Sequence, residues 1–312
     1  PTPLMIALVV DRFLVMEGAA PDPRAAALPG PAGLDLPAHS SLTRAEYVSL
    51  VLQVKDHIAA GDIYQANLSQ RFRVPAAVDG LTLYGHLRRI SPAPFAGYLR
   101  AGEVEVVSSS PERLLYVDDG RASTRPIAGT RPRGADPEQD RALASELLLS
   151  EKERAEHLML VDLARNDLGR VAEVGTVQVD ELMVTEAYSH VRHIVSDVSA
   201  RLAPGRDAVD ALRALFPGGT ITGVPKRRCM EILDSLEPVP RGFYTGALFY
   251  VTRSGRLDAN ILIRSAVVHE GHVTFHAGGG IVADSDPQRE YEETLHKAEA
   301  LRLALAAALA GV

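Results

Sequence analysis

The sequence has one cysteine among 312 residues and no excess of positive charge, with 33 Lys and Arg against 40 Asp and Glu. The single thiol, Cys229, cannot form an internal disulfide. The net charge of -7 argues against nucleic-acid binding, because such proteins need a basic surface to neutralise phosphates. The sequence also lacks a signal-peptide pattern and an apolar run long enough to span a bilayer, so it predicts a cytoplasmic protein.

Two common kinds of cofactor site are missing as well. Cysteine and histidine residues do not cluster at the spacing of a zinc site. The glycine-rich segment at residues 216–226 follows the residue order of neither a Walker loop nor a dinucleotide fingerprint, which argues against nucleotide binding. Backbone N–H groups in that segment, and in the glycine run at residues 277–281, can still bind a carboxylate or a phosphate.

The hydrophobic residues, 46% of the chain, are arranged in short alternating elements. Residues 4–16 have the pattern of a strand, and residues 17–40 that of a Pro-, Ala- and Gly-rich linker. Beyond them we expect strands within residues 63–74, 96–124 and 177–202, a three-strand meander over residues 246–282, and helices between and after these segments. Hairpin turns in place of regular βα alternation predict an α+β fold on antiparallel sheets.

Two predicted helices carry paired glutamates. Glu153 and Glu156 lie three residues apart near the start of one helix, and Glu290 and Glu293 repeat this spacing in the last helix. Each pair lies on one helix face and could hold a divalent ion, for which Mg²⁺ is the best match to oxygen ligands. Each pair has a structural alternative, since Glu153 could cap its helix and Glu293 could form an ion pair with Lys297.

Arg264 is a charged residue inside an apolar segment that we interpret as a strand, residues 261–268. An unpaired guanidinium in such a place is costly, so Arg264 is expected to meet a partner of opposite charge. That partner could be a bound anion or an internal carboxylate.

Several segments together resemble the chorismate-utilising enzymes, the family that includes anthranilate synthase component I, aminodeoxychorismate synthase component I, isochorismate synthase and salicylate synthase. The resemblance covers about residues 43–303. It rests on GDIYQANLSQRF at 61–72, SPE at 110–112, PIAGTRPRG at 126–134, EHLMLVDLARNDL at 156–168, YSH at 188–190, GTITGVPK at 219–226 and DSDPQ at 284–288.

The resemblance implies two packed antiparallel β-sheets with outer helices, in a catalytic domain at residues 41–312 that follows a residual N-terminal strand and linker at residues 1–40. It implies that Glu156 and Glu293 bind Mg²⁺ directly, supported by Glu153 and Glu290. The remaining implied site residues are Glu112 as general acid, His190 near the leaving hydroxyl, Gln65, Ala128 and Thr130 as further catalytic positions, and Thr222, Tyr244, Arg264, Gly278, Gly280 and Lys297 as substrate-binding positions.

Two positions bear on the nucleophile. Isochorismate and salicylate synthases have a lysine base where this chain has Gln65, and an amide cannot deprotonate water usefully, so ammonia is the expected nucleophile. Aminodeoxychorismate synthases often have a covalent lysine where this chain has Ala128, whereas alanine is the pattern of anthranilate synthases. Ala128 therefore favours the anthranilate product.

Other segments resemble aminodeoxychorismate synthases more closely, namely YQANLSQ at 64–70, PAPF at 92–95, PGGTITG at 217–223 and DANI at 258–261. We therefore predict amination of chorismate to 4-amino-4-deoxychorismate, with anthranilate formation as the alternative. An isochorismate synthase or a non-catalytic anion-binding module is less favoured. A glutamine amidotransferase partner is expected to supply the ammonia, and the short leading segment argues against a tryptophan-inhibitor site.

Overall fold

The computed structural model describes residues 34–187 and 191–311, and it contains both helices and sheets. The predicted strand at residues 4–16 and most of the predicted linker lie outside these ranges. The helices are α1 (Arg44–Ala59), α2 (Gly80–Ile90), α3 (Pro137–Leu149), α4 (Glu151–Gly169), α5 (Ala208–Leu215), α6 (Lys226–Leu236) and α7 (Pro287–Ala310). In the described ranges, no helix is both long and apolar enough to cross a membrane.

Six strands form the first sheet, in the spatial order β2-β3-β12-β13-β1-β9, and every pairing in it is antiparallel. Their bounds are β1 (Gln65–Pro75), β2 (Phe95–Ala101), β3 (Val104–Ser110), β9 (Gly223–Val224), β12 (Ser265–His269) and β13 (His272–Ile281). The long central pair, β1 and β13, sets Asn67 opposite Gly280 and Ser69 opposite Gly278.

The second sheet has seven strands, in the order β10-β11-β4-β5-β8-β6 with β7 also paired to β8. Their bounds are β4 (Arg113–Asp118), β5 (Arg121–Thr124), β6 (Ile127–Pro132), β7 (Gln178–Ala187), β8 (Val191–Arg201), β10 (Phe249–Val251) and β11 (Leu257–Asn260). These pairings are antiparallel too. The predicted fold class, two packed antiparallel sheets with helices, is confirmed.

Hydrophobic cores fix the helices on the sheets. Side chains of α2 and α7 pack on the first sheet, around the stacked rings of Phe72 and Phe275, whose centroids are 5.3 Å apart. A neighbouring cluster joins α1 and α6 to β1 and includes the buried Cys229. Burial raises the pKa of the Cys229 thiol to about 12, which agrees with a structural role. A third cluster joins α4 and α5 to the second sheet.

The predicted three-strand meander at residues 246–282 is wrong. This segment contains four strands, of which β10 and β11 belong to the second sheet and β12 and β13 to the first. The apolar residues Ile261, Leu262 and Ile263, which read as part of a strand, form the crossing between the sheets. Ile261 donates its N–H to the carbonyl of Glu112, on the other crossing of the chain, at 3.1 Å. The two crossings therefore meet, and they carry Glu112 and Arg264.

Candidate active site

A cavity of about 760 Å³ lies where the two sheets and the helices α4 and α7 meet. Its wall contains most of the site residues predicted from the sequence: Gln65, Glu112, Ala128, Glu153, Glu156, Tyr244, Arg264, Gly278, Gly280, Glu290, Glu293 and Lys297. A volume of this size is typical of a site for a small molecule. The structure thus brings together residues that are up to about 230 positions apart in the sequence.

The first glutamate pair is positioned by the start of α4. The hydroxyl of Ser150 accepts the N–H of Glu153 and caps the helix. Gln65 on β1 donates from Nε2 to Oε1 of Glu156 at 2.8 Å, and the Arg131 guanidinium on β6 lies 3.3 Å from Oε1 of Glu153. Each carboxylate is therefore held by a neighbouring strand.

The second pair projects from α7. Ser285 donates its hydroxyl to Oε1 of Glu290 at 2.7 Å, and Lys297 lies 2.6 Å from Oε1 of Glu293. The same ammonium donates to the carbonyl of Gly278 at 3.0 Å. The ion pair predicted as the structural alternative for Glu293 is therefore present, and it also ties α7 to the glycine run of β13.

That glycine run leaves room for both pairs. A Cβ atom on Gly279 would lie 3.2 Å from Oε2 of Glu290 and 3.4 Å from Oε1 of Glu293. A Cβ atom on the next residue, Gly280, would lie 3.5 Å from Oε1 of Glu156. The two pairs thus approach neighbouring positions of one strand, and larger residues there would crowd the carboxylates.

The four glutamates were expected to converge on one magnesium ion. Within the described ranges, however, no group of three or more His, Cys, Asp or Glu side chains has the arrangement of a metal site. The glutamates line the cavity as two pairs, not as one cluster. Their donor atoms are all oxygens, and Mg²⁺ takes one or two protein carboxylates while keeping water and substrate oxygens. The donor set therefore fits Mg²⁺.

Glu112 lies at the crossing between β3 and β4, and its side chain is 5% exposed. Burial raises the pKa of its carboxyl to about 7, although the nearby Thr220 hydroxyl and Ile127 amide oppose this shift. The structure places this buried acid in the cavity wall. A carboxyl with such a pKa can hold and release a proton near neutral pH.

Arg264 lies just before β12, with a φ of 50°. Burial lowers the pKa of its guanidinium, while the nearby Tyr244 and Glu293 raise it. Among the described residues none forms a salt bridge with Arg264, so the internal carboxylate considered as its partner is not found there. Arg264 instead faces the cavity, where a guanidinium suits an anionic ligand.

Tyr244 is fixed from both sides. Its ring stacks on that of His276, with centroids 5.0 Å apart and planes at 10°, and the Arg241 guanidinium lies 5.7 Å from its centroid. Arg241 is itself held by Glu237 at 2.7 Å. Burial raises the pKa of Tyr244 to about 12, so its phenol remains a hydrogen-bond donor at neutral pH.

Ala128 is 8% exposed and lies on β6 opposite Ile194 of β8. The pairing shifts between Ala128 and Thr130, where Gly129 adopts a φ of 61°. The methyl group of Ala128 therefore lines the cavity at a position where the sequence offers no amine. Thr130 pairs through its backbone with His193, and its side chain lies outside the described part of the structure.

Thr222, predicted to bind substrate, is not part of the cavity wall, because its buried hydroxyl donates to the carbonyl of Gly218 at 2.9 Å. Thr220 and Ile221 line the cavity in its place. His190, predicted near the leaving group, lies outside the described residues.

Sequence reasoning missed eight polar residues of the wall: Asn67, Ser91, Ser109, Arg131, His193, Thr220, His276 and His296. The ring of His193 lies with Nδ1 at 3.0 Å from the carbonyl of Gly129, and burial lowers its pKa. His193 lies inside a predicted strand, and residue alternation along that strand was the signal that could have found it.

Comparisons with known proteins agree with this geometry. Residues 16–302 match the family model described as chorismate binding enzyme. This chain belongs to that family. An anthranilate synthase component I-like protein of Synechocystis sp. is 53% identical over 262 residues, and anthranilate synthase component 1 of Pseudomonas putida is 49% identical over 281 residues. These alignments cover 83% and 90% of this chain.

The chain spans little more than half the length of these relatives, 54% and 57%. Its fold matches the crystal structure of anthranilate synthase component I from Streptococcus pneumoniae, with a TM-score of 0.79 and 39% sequence identity. That match covers 84% of this chain and 58% of the other. The family and the fold are therefore established together.

Proposed function

We propose that this chain binds chorismate with Mg²⁺ and catalyses its amination by ammonia. The observation that carries the proposal is the charge layout of the cavity. Two pairs of glutamates occupy one side, and Arg264 faces the same space without a salt bridge to any described residue. Such a cavity suits a ligand that carries carboxylates and binds together with a divalent cation.

Different residues would bind the two carboxylates of the substrate. Glu156 and Glu293 would hold Mg²⁺, with Glu153 and Glu290 supporting them, and the ion would supply charge neutralisation for the ring carboxylate. Arg264 and the phenol of Tyr244 would bind the second carboxylate, which belongs to the enolpyruvyl group. This arrangement fixes the ring in the cavity, so that the reacting carbons meet the same side chains in every turnover.

Glu112 is the proposed general acid. Its protonated carboxyl donates a proton to the C4 hydroxyl, which leaves as water, while ammonia adds at C2 with a shift of the ring double bond. Loss of pyruvate from the aminated ring then gives anthranilate. Chorismate and ammonia are converted to anthranilate, pyruvate and water, so the atoms balance.

The product is proposed to be anthranilate, in place of the 4-amino-4-deoxychorismate expected first. The 49–53% identical relatives are named for anthranilate synthase component I, and the same name is attached to the similar crystal structure. The methyl group of Ala128 in the cavity wall agrees with this choice, because it cannot form the covalent adduct that a lysine there would form.

Ammonia is proposed to come from glutamine through a separate amidotransferase subunit, as the family resemblance implies. Glutamine hydrolysis by this chain itself is disfavoured, because its one thiol, Cys229, is buried and its pKa is raised to about 12 by burial. The proposed assembly therefore divides ammonia production and chorismate amination between two chains.

Mass spectrometry of the products tests this proposal. The purified chain is mixed with chorismate, Mg²⁺ and an ammonium salt, and anthranilate with an equimolar amount of pyruvate is expected. A product with the mass of 4-amino-4-deoxychorismate would show that the first expectation was correct. Isochorismate formed without ammonium would contradict amination altogether.

A further inference from the structure

We infer that Arg241 and its partner Glu237 are positioning residues for chorismate binding, which hold the phenol of Tyr244 in place from behind the cavity wall. The inference rests on the proposed function and deepens it, because it assigns how a residue that binds the second carboxylate is fixed at the site. Tyr244 lines the cavity, whereas Arg241 and Glu237 are not part of its wall.

The Arg241 guanidinium joins three other segments of the chain. Its Nε and one terminal nitrogen form a bidentate pair with the carboxylate of Glu237, which ends α6, at 2.8 and 2.7 Å. The other terminal nitrogen donates to the carbonyl of Ile221 at 2.9 Å, and a further N–H donates to the carbonyl of Asn67 on β1. Arg241 therefore binds the end of α6, the turn at Gly219–Ile221 and β1 at the same time.

The ion pair is satisfied by the protein itself. Four of the five N–H groups of Arg241 have protein acceptors, and Oε1 of Glu237 also accepts the N–H and the hydroxyl of Ser69, both at 2.9 Å. Burial alone would lower the pKa of the Arg241 guanidinium, but Glu237 raises it above its ordinary value. Arg241 is therefore a charged residue whose donors are used to hold the protein, in contrast to Arg264, which faces the cavity.

Tyr244 lies in a tight turn that begins at Arg241. Its N–H donates to the carbonyl of Arg241 at 3.1 Å, and the N–H of Thr245 donates to the carbonyl of Leu262 at 2.9 Å. Thr245 has a φ of 63°, in the left-handed region that a β-branched residue rarely adopts. Such a conformation persists only where surrounding contacts hold it. The turn therefore needs an anchor, and the hydrogen bonds of Arg241 provide one at its start.

The side chain of Arg241 also contacts the ring that it positions. The guanidinium lies 5.7 Å from the centroid of the Tyr244 ring, which in addition stacks on the ring of His276. A phenol that binds a carboxylate together with Arg264 must keep a fixed position, because a hydrogen bond weakens steeply when its angle is poor. Without Arg241 the phenol would still be present, but it would no longer be aligned with the carboxylate.

Substitution of Arg241 by lysine separates its geometry from its charge. The planar guanidinium donates to a carboxylate and to two carbonyls at fixed angles, whereas an ammonium is a compact charge on a flexible stem. Arg241→Lys therefore keeps a cation beside Glu237 and removes the rigid connection to β1 and to the turn at Gly219–Ile221. We expect the position of the Tyr244 phenol to be lost while the charge balance of the pair is kept.

A double-mutant cycle between Arg241→Lys and Tyr244→Phe tests the inference by steady-state kinetics of the whole chain with Mg²⁺ and ammonium. Each single substitution is expected to raise the KM for chorismate about 3- to 10-fold, the loss typical of one hydrogen bond, and Arg241→Lys should change kcat by less than about twofold. In the Tyr244→Phe background the phenol is already absent, so Arg241→Lys should raise the KM by less than about twofold there. A role in stability alone would raise the KM equally in both backgrounds.

Arg302→Lys is the matched control. Arg302 also forms a bidentate pair with a glutamate, Glu299, and its side chain is 16% exposed, against 17% for Arg241. It lies on α7 outside the cavity wall, so the control should leave the KM for chorismate unchanged. If Arg241→Lys does not fold, Glu237→Gln removes the charge of the partner, keeps its shape and is judged by the same cycle.

Three results would overturn the inference and leave the proposed function standing. These are an unchanged KM for chorismate in Arg241→Lys, an unchanged KM in Tyr244→Phe, and an equal rise of the KM when Arg241→Lys is made in the original chain and in Tyr244→Phe. Chorismate left unconsumed by the original chain in the presence of Mg²⁺ and ammonium would overturn the proposed function, and the inference with it.

Discussion

Two walls of the cavity differ in how their polar groups are satisfied. On the wall formed by α4 and α7, protein donors already engage the glutamates, among them Arg131 on Glu153 and Lys297 on Glu293. On the wall formed by β1 and the turn at Gly219–Ile221, the buried amide oxygens of Gln65 and Asn67 lack partners within the described residues.

The difference indicates that the two walls suit different chemical groups of a ligand. Carboxylates that face each other repel unless cations or donors hold them, so the first wall needs internal partners when it holds no metal. Neutral acceptors do not repel strongly, and the second wall can leave them unmet at a moderate cost in stability. The first wall is therefore a charge site and the second a hydrogen-bonding site.

Removing a proposed metal ligand should have the largest effect. Glu293→Ala is expected to lower Mg²⁺-dependent turnover more than about 100-fold, because a bound metal contributes several kcal/mol of charge stabilisation. The matched control is Glu292→Ala, one position away on α7, where the exposed glutamate pairs with Arg44 at 2.7 Å. Chorismate consumption and thermal unfolding are measured for both. Equal activity of the two variants would show that Glu293 on the first wall does not bind the metal.

Glu112→Gln is expected to lower kcat by about 100- to 10,000-fold, the range for loss of a general acid. The free energy of unfolding of this variant, in contrast, should be higher than that of the original chain above neutral pH. Because burial raises the pKa of Glu112 from 4.5 to about 7, the folded chain is destabilised as the pH rises through that range and the carboxyl ionises.

At pH 8 the glutamine variant should therefore unfold at a higher denaturant concentration than the original chain, with a gain of up to roughly 3 kcal/mol at about 1.4 kcal/mol per pKa unit. Near pH 4 the two proteins should unfold at similar denaturant concentrations. Chemical unfolding at both pH values checks the sign, and a variant that is less stable at pH 8 would show that Glu112 is ionised without penalty.

Substitution of His276 should give the smallest effect, a change in how the free energy of unfolding depends on pH. Burial, together with Arg241 and Arg71, lowers its pKa from 6.5 to about 3, so the folded chain keeps the ring neutral. Stability from this residue is present above pH 6.5 and is lost as the pH falls toward 3, by about 2 kcal/mol at pH 5. His276→Gln should unfold with a weaker dependence on pH between 7 and 5. An identical pH profile for the variant would contradict a neutral buried ring.

Much of the first wall could be predicted from the sequence. The i,i+3 spacing of the glutamates and the helix cap at Ser150 depend on local rules, which a single sequence records directly. The family resemblance then placed Glu112, Arg264 and Tyr244 in the same site. The structure shows that they line one cavity.

The second wall could not be predicted in the same way. Whether Asn67 or Thr220 has a satisfied hydrogen bond depends on contacts between β1 and a turn about 150 positions later, and no local pattern encodes these contacts. The same limit explains the wrong meander at residues 246–282. An apolar run such as Ile261, Leu262 and Ile263 has the same appearance in a strand as in a buried crossing.

Calorimetric titration of chorismate into the purified chain, with and without Mg²⁺, tests the central claim most directly. We expect measurable binding only when Mg²⁺ is present, and its loss in Glu293→Ala but not in Glu292→Ala. Binding of equal strength without Mg²⁺, or no binding under either condition, would contradict a cavity that holds chorismate through a metal on the glutamate wall.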